Sequence, residues 1–439
     1  MYKNIFSWIL KRSTIIIMVA FLSSCAQSSS KKKEDRSVLN DNKVKNQKEW
    51  FDLKIEESLN NIERGKKRYS EIFVDIEYVP LETTSESLIG GGRHGIQYYT
   101  VTSKNIVVDQ KIFDRNTGRY LGDLLRMGQG PEEYIYPDVV AGNDERQEFY
   151  LHDGSIGKML IADYNGKYKE TLGRAREQGN SFKKIYSLSD SNILITRGGG
   201  DLRNYRNNHQ IINLNSKAVI NQYCSSALNG YNTEEELYNH KYIFKWGGGN
   251  PFVVGDDRYW SFGDKVRFYD FLTDSIYSVG KDLRVIPIGV LGFANMRTTS
   301  EQFADNALLK WNIMNIFETS DHIIVSFKHT RYKPEYSSQT YLLTYSKKEG
   351  ISRITTKGKD KFEETDYEND IDKGVSDQPV SSIWKEQSLY SFVSAETIKA
   401  RIEEEGSNVF TTEAEKKFKA MADTLEADDN HVLAIYHFR

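Results

Sequence analysis

The chain repeats itself. Ile112-Phe113-Asp114-Arg115-Asn116-Thr117-Gly118-Arg119-Tyr120 is echoed by Ile161-Ala162-Asp163-Tyr164-Asn165-Gly166-Lys167-Tyr168, with Gly118 and Gly166 48 positions apart and Tyr120 and Tyr168 likewise. A weaker echo, Ile212-Asn213-Leu214-Asn215-Ser216-Lys217, follows about 50 positions later, a spacing typical of propeller-sized repeats. Later versions run from Phe268-Tyr269-Asp270 to Tyr277 and from Leu343-Thr344-Tyr345 to Ile351. In each, a strand ends at a polar turn and a second strand leaves it, which is a hairpin unit. A period of this size with several strands per unit constrains the fold strongly. One four-stranded blade has two apolar faces and cannot hide both. Packing blades radially buries each face against a neighbour, and closing the ring protects the ends. Roughly 370 residues are available, room for six to eight blades at about 40–50 residues each.

Local patterning agrees. Ile72, Val74, Ile76 and Tyr78 alternate with Asp75 and Glu77 until Pro80, which has no N–H to give a ladder. Strand-like runs recur at 105–109, 148–153, 192–196, 258–262 and 322–327. Aromatics make up 12% of the chain, with 27 Tyr, a residue suited to a half-buried pleated surface. The expected fold class is all-β: a β-propeller of four-stranded blades forming a single domain over 49–439. Two small C-terminal helical insertions interrupt it. Ser394 reads as an N-cap, 395–405 as a helix and Gly406 as its stop, and a second helix spans about 412–425 with Glu413 and Glu415 early. The chain then ends on the alternating run 432–438. A last strand left unpaired would be a pairing hazard, so this run is expected to share a blade with sequence near 72–79. Residues 51–62 fit a strand and a helix face equally well.

The N-terminus carries an address. Lys3, Lys11 and Arg12 precede an apolar run at 14–22, which leads into Leu22-Ser23-Ser24-Cys25. This is a secretory signal over 1–24, and its apolar run falls short of the ~20 residues that span a bilayer. Leu-Ser-Ser-Cys resembles the lipobox of bacterial lipoproteins. That resemblance implies cleavage before Cys25 and acylation of its thiol and amine. Residues 25–48, rich in Ser, Lys, Asn and Asp after the Cys, read as a flexible tether. Removing the signal takes the formal charge from −3 to −6, which disfavours nucleic-acid binding, a process driven by phosphate neutralisation. With Cys25 acylated, Cys224 has no disulfide partner and reads as a small buried apolar residue.

The stretch from Arg126 to Tyr168 resembles an NHL-type propeller repeat, through Gly128-Gln129-Gly130-Pro131-Glu132-Glu133-Tyr134, Pro137, Phe149-Tyr150-Leu151-His152-Asp153, Lys158, Asp163 and Gly166. Over about 51–439 the chain is similar to the six-bladed β-propeller lipoproteins of Bacteroidetes (NHL-like or TolB-like). Tyr78-Val79-Pro80-Leu81-Glu82-Thr83-Thr84 and the ending Asp429-Asn430-His431-Val432 also carry the likeness, although His431 stands where that family usually has Pro. The resemblance implies six blades and an outer-membrane-anchored lipoprotein at the cell envelope. Residues 26–30 lack the acidic run associated with surface export in that group, which favours the periplasmic side. It implies no particular chemistry.

No catalytic constellation stands out. His-Glu-x-x-His, Gly-x-Ser-x-Gly, the P-loop and Cys-x-x-Cys are all absent from the sequence. The eight His are scattered singly and read as surface or core imidazoles, so no metal set and no cofactor are specified. The glycine runs at 90–92, 198–200 and 247–249 lack the phosphate-loop context. Their flanks, Arg93 and His94, Arg197 and Asp201, Trp246 and Asn250, are candidate ligand contacts at a propeller mouth; ordinary turn residues are the alternative. Two functions follow. One is a monomeric binding or scaffolding module, attached to the membrane by its lipid and meeting an envelope protein or glycan. The other is a lyase or hydrolase acting on a glycan or other envelope substrate. Paired carboxylates at the mouth would favour the enzyme, and an aromatic-lined mouth the binding module.

Overall fold

The structure, a computed structural model, describes residues 49–439 apart from 91–95, 175–181, 198–208, 232–233, 238, 245–251, 254, 256, 305–309, 331–337, 357–366, 377–380, 383–387 and 406–409. Cys25, the signal and the tether lie outside the described residues. Phe51–Arg439 forms one compact unit.

Six antiparallel sheets follow one another in this unit, and each is a blade. Blade 1 comprises Tyr99–Val101, Asn105–Val108, Lys111–Asp114 and Tyr120–Asp123; blade 2, Pro137–Asn143, Glu148–Asp153, Lys158–Asp163 and Tyr168–Arg174. Blade 3 comprises Phe182–Ser187, Asn192–Arg197, His209–Asn213 and Ala218–Tyr223; blade 4, Arg258–Phe262, Lys265–Asp270, Ser275–Val279 and Ile286–Val290. Blade 5 comprises Lys310–Glu318, His322–Thr330, Ser338–Ser346 and Ile351–Thr356; blade 6, Ser381–Ser382, Ser388–Val393, Val432–Phe438 and Phe73–Pro80. First strands of successive blades lie against one another, so they line the axis and the fourth strands lie outside. This is the six-bladed propeller the sequence led us to expect.

Burial explains the ring. Every residue of Asn105–Val108 and Glu148–Asp153 is buried, which a strand with one wet face cannot achieve. Successive side chains point to opposite faces, and here each face meets a different blade. Ile106 and Val108 join Val79, Leu433 and Ile435 of blade 6, whereas Val107 joins Phe149 and Leu151 of blade 2. Tyr150, between those two, packs with Ile193 and Ile195 of blade 3. The core is therefore a set of apolar seams, one at each blade interface, and not a single centre.

The 48-residue echo marks the joint between blades. Gly118 and Gly166 sit in the outer turns of blades 1 and 2 at φ of +69° and +79°. A Cβ on Gly118 would lie 1.8 Å from the carbonyl oxygen of Pro80, the last residue of blade 6's outer strand; one on Gly166 would lie 2.1 Å from that of Asp123, the last of blade 1's. The same two glycines accept backbone hydrogen bonds from Glu82 and Leu125, both at 2.9 Å. Each outer turn thus docks on the preceding blade where only glycine fits, for both conformation and space. Gly166→Ala is expected to cost about 2–3 kcal/mol, strain and forced separation together, read as a lowered urea midpoint at unchanged slope. The later echoes are not all this element. Residues 343–351 form the outer turn of blade 5, but 268–277 form the turn between the second and third strands of blade 4. A strand–turn–strand pattern looks the same in any hairpin.

Blade 6 is assembled from both ends of the unit. Val432–Phe438 pairs antiparallel with Ser388–Val393 on one side and with Phe73–Pro80 on the other, in the register Leu433↔Val79. The expected closure is observed. Upstream, the ambiguous segment 51–62 adopts both conformations. Phe51–Asp52 adds a parallel fifth strand to blade 4, Ile55–Ser58 is one helical turn, and Ile62–Arg64 adds a parallel fifth strand to blade 5. Phe51, Leu53 and Ile55 are buried in the seam of those blades. This belt covers two outer edges that would otherwise present unpaired backbone groups. Blade 3's outer strand, Ala218–Tyr223, has no such cover and is exposed up to Gln222. Cys224 follows it and is exposed. The expectation of a buried thiol is corrected, because the chain is there leaving an outermost strand.

The two helices are Ala395–Glu405 and Glu413–Asp423, both between the second and third strands of blade 6. The Thr397 N–H donates to Ser394 Oγ at 3.1 Å, and Thr412 forms a capping box with Glu415. The stop expected at Gly406 lies outside the described residues. No helix among the described residues is long and apolar enough to cross a membrane.

Candidate functional site

The ring is lopsided. At one end its turns are short, as at 144–147 and 164–167. The other end carries the connections between blades, such as 81–98, 224–257, 291–309 and 357–380, together with the helical insertion of blade 6. Variable loops on a rigid scaffold are where binding residues gather, so this end is the candidate site. Arg93, His94, Asp201, Trp246 and Asn250 lie outside the described residues, as does the side chain of Arg197, the last residue of blade 3's second strand.

Among the described residues an aromatic cluster instead stands beside the axis, in the seam between blades 1 and 6. Tyr99, on the first strand of blade 1, meets Tyr390 and Phe392 of blade 6 with ring centroids 5.9 and 5.5 Å apart. Lys184, on the first strand of blade 3, places Nζ 5.7 Å from the centre of the Tyr99 ring. Blades 1 and 3 are not neighbours, so this cation–π contact crosses the axis. Tyr186 and Tyr259 lie on the first strands of blades 3 and 4. Burial pushes the phenols of Tyr99, Tyr186 and Tyr259 up. They remain neutral hydrogen-bonding groups and do not serve as acids or bases near pH 7. The sequence holds these residues in plain view, but their signal is a place on an inner strand beside a blade seam, legible only once blade register is known.

Carboxylates at this end are committed to structure. Asp138 is the extra residue of a bulge in blade 2's first strand, between Pro137 and Val139. Its Oδ1 lies 2.6 Å from His152 Nδ1. The His152 side chain is 1% exposed, so the imidazole holds the bulge and does not reach a ligand. Burial alone would raise Asp153, but hydrogen bonds from Ser155, Ile135 and Tyr136 hold it below the usual carboxylate range; it ties the incoming connection to blade 2. In the seam between blades 3 and 4, Asp270 accepts from Tyr223 Oη at 2.9 Å and Ser225 Oγ at 2.6 Å. Burial, then the charge of Asp257, raises its pKa. Among the described residues no group of three or more His, Cys, Asp or Glu is placed to hold a metal ion.

His209 lies in that same seam, stacked on Phe268 at 4.3 Å and flanked by Tyr223 and Tyr259. It is 2% exposed, and neither ring nitrogen has a hydrogen-bond partner among the described residues. Burial pushes its pKa down to about 4, with Asp270 opposing. The sign follows from linkage. The folded state binds the proton more weakly than the unfolded chain, so this contribution is fully present above pH ~6.5 and is lost as pH falls toward about 4. Between pH 7.5 and 4.5 the loss is expected to be about 2–3 kcal/mol. His209→Phe should remove that part of the acid sensitivity, measured as the difference between the two proteins' urea-unfolding free energies across this range. Parallel curves would exclude His209 as the cause.

Comparison with known proteins bears on the fold. The profile of a domain of unknown function, DUF4934, matches residues 51–437. No curated protein matches the chain. A crystal structure from Bacteroides fragilis, named as a candidate exported protein, is 14% identical and covers 85% of this chain and 99% of its own, with a TM-score of 0.55. A DUF4221 member from Bacteroides vulgatus is 9% identical over 84% of this chain and 97% of its own, with a TM-score of 0.40. The first of these shows a shared fold.

Proposed function

We propose, for a chain that belongs to the DUF4934 family, a binding module at the cell envelope, held to the membrane through a lipid on Cys25. The observation that carries this reading is the loop-rich end of the ring, with Tyr99 beside the axis packed on Tyr390 and Phe392 and met across the axis by Lys184. Aromatic planes beside a cation suit a glycan or a peptide, whereas the carboxylates described there are tied to backbone N–H groups, serine hydroxyls, a phenol and His152. Residues 26–48 serve as a tether that raises the effective concentration of the propeller toward membrane partners. The likeness to a protein named as a candidate for export is in keeping with this placement, as is the resemblance of residues 51–439 to envelope lipoproteins. The periplasmic face of the outer membrane is the favoured location. The connections holding Arg93, His94, Arg197, Asp201, Trp246 and Asn250 supply further contacts.

Two measurements test the proposal. Cys25→Ala should release the protein from the membrane fraction; a variant that still pellets and still labels with fatty acid refutes the anchor. The released protein should then be screened against glycans, peptides and chromogenic ester, glycoside and uronide substrates. Saturable binding weakened at least tenfold by Lys184→Ala, without turnover, is the expected result. Metal-dependent turnover abolished by one substitution at the loop-rich end would overturn the binding reading in favour of a lyase or hydrolase.

A further inference from the structure

A second cavity lies away from the axis. It is an open groove of about 800 Å³ between the connection that leaves blade 1 and the outer turn of blade 2. No first strand contributes to it, and its volume falls within the ~300–1,000 Å³ typical of small-ligand pockets.

One wall is rigid. The turn Gly128-Gln129-Gly130-Pro131 wraps the carboxylate of Glu133, whose Oε2 accepts from the Gly130 N–H at 2.8 Å. A Cβ on Gly128 would lie 2.0 Å from that oxygen. Beneath the turn, Lys158 Nζ donates to the carbonyls of Gly130, Pro131 and Glu133 at 2.8, 3.3 and 3.3 Å. A buried lysine with three carbonyl partners fixes the loop before any ligand arrives, which lowers the ordering cost of binding. The facing wall is the turn Asn165-Gly166-Lys167 with Tyr168, held to blade 1 by the Leu125–Gly166 backbone bond.

The polar groups inside differ in how far they are already used. Asp123 accepts from Lys111 Nζ at 2.8 Å and Tyr120 Oη at 2.7 Å. The side chains of Arg126, Lys167 and Glu132 are exposed into the groove and make no hydrogen bond or ion pair among the described residues. Asp123 is neutralised by Lys111, and the Glu133 carboxylate is enclosed by its own turn above the buried Lys158, so the charges left open in the groove are Arg126 and Lys167 against Glu132, a balance that favours an anion. Asn165, able to donate and accept, and Glu132, an acceptor, suit hydroxyl groups, and the half-buried Tyr168 offers an aromatic face.

We propose that this groove binds an acidic oligosaccharide, with sugar carboxylates on Arg126 and Lys167, hydroxyls on Asn165 and Glu132, and a ring against Tyr168. The site is separate from the axial channel. The test is calorimetric titration of the full-length protein with a trimer of galacturonic acid, with its methyl-esterified form, and with a triglutamate peptide. The acidic trimer should bind saturably, and both esterification and the Arg126→Ala/Lys167→Ala double variant should weaken it at least tenfold. The double variant should melt with the parent, because both side chains are exposed. Lys184→Ala should leave this affinity unchanged. The inference is overturned by equal binding of the esterified trimer, by equal or tighter binding of the peptide, by an unaffected double variant, by loss of binding in Lys184→Ala, or by no saturation at millimolar ligand.

Discussion

A protein lacking residues 431–439 is expected to be unfolded at 25 °C, with no cooperative thermal transition by circular dichroism. Val432, Leu433, Ala434, Ile435 and Tyr436 are each at most 1% exposed. They serve two seams, Leu433 and Ile435 facing blade 1 and Val432, Ala434 and Tyr436 facing blade 5. At about 1.5–3 kcal/mol for each large buried side chain, the loss approaches ~10 kcal/mol, comparable to the whole stability of a typical domain. Deletion also leaves Phe73–Pro80 without the strand it pairs with. A truncated protein that melts cooperatively within a few degrees of the parent would show that the ring does not depend on its closing strand.

Glu318→Ala is expected to cost about 3–5 kcal/mol, the usual effect of leaving buried charges uncompensated. The Glu318 side chain is 0% exposed and lies at the end of blade 5's first strand. It accepts from Trp260 Nε1 at 2.9 Å and Lys347 Nζ at 2.7 Å, and stands 3.4 Å from Nε of Arg267, which is 1% exposed. Trp260 and Arg267 belong to blade 4 and Lys347 to the outer turn of blade 5, so one carboxylate joins two blades. Lys347 Nζ also stands over the rings of Phe51 and Phe262, at 5.5 and 4.1 Å, which brings the belt into the same cluster. Glu349→Ala makes the contrast. Its partner Arg353 is 3.1 Å away and both side chains are about half exposed, so the cost should stay within about 1 kcal/mol. Urea unfolding of the two variants decides the matter, and equal small effects would refute the role given to Glu318.

Much of the ring was legible because its defining interactions are local or repeated. Strand-like runs at 148–153 and 258–262, set off by turn residues, predict strands whose observed bounds are Glu148–Asp153 and Arg258–Phe262. The echo of Gly118 in Gly166 reports a joint that each blade makes in the same way. Ser394 announces its helix because a cap acts within one turn of its own residue. The closing strand was legible for another reason: a free edge at the chain end demands a partner, and Phe73–Pro80 is an alternating strand without one of its own.

The candidate site was much less legible. Glycine runs drew attention to Arg93, Arg197 and Trp246, whereas the described residues beside the axis are Tyr99, packed on Phe392, and Lys184, which no local pattern distinguishes from other strand residues. Cys224 looked like core by residue type and is exposed by position. By itself the sequence determined the blade: where strands begin and end, which residues alternate, and which turns need glycine, since these are settled by hydrogen bonds and sterics within a few residues. Only the tertiary structure decided which blades meet which residues. The belt over blades 4 and 5, the burial of Glu318 beside Arg267, and the reach of Lys184 to Tyr99 across the axis pair groups far apart in the chain. Their energies depend on distance and exclusion of water, and ring closure alone sets both.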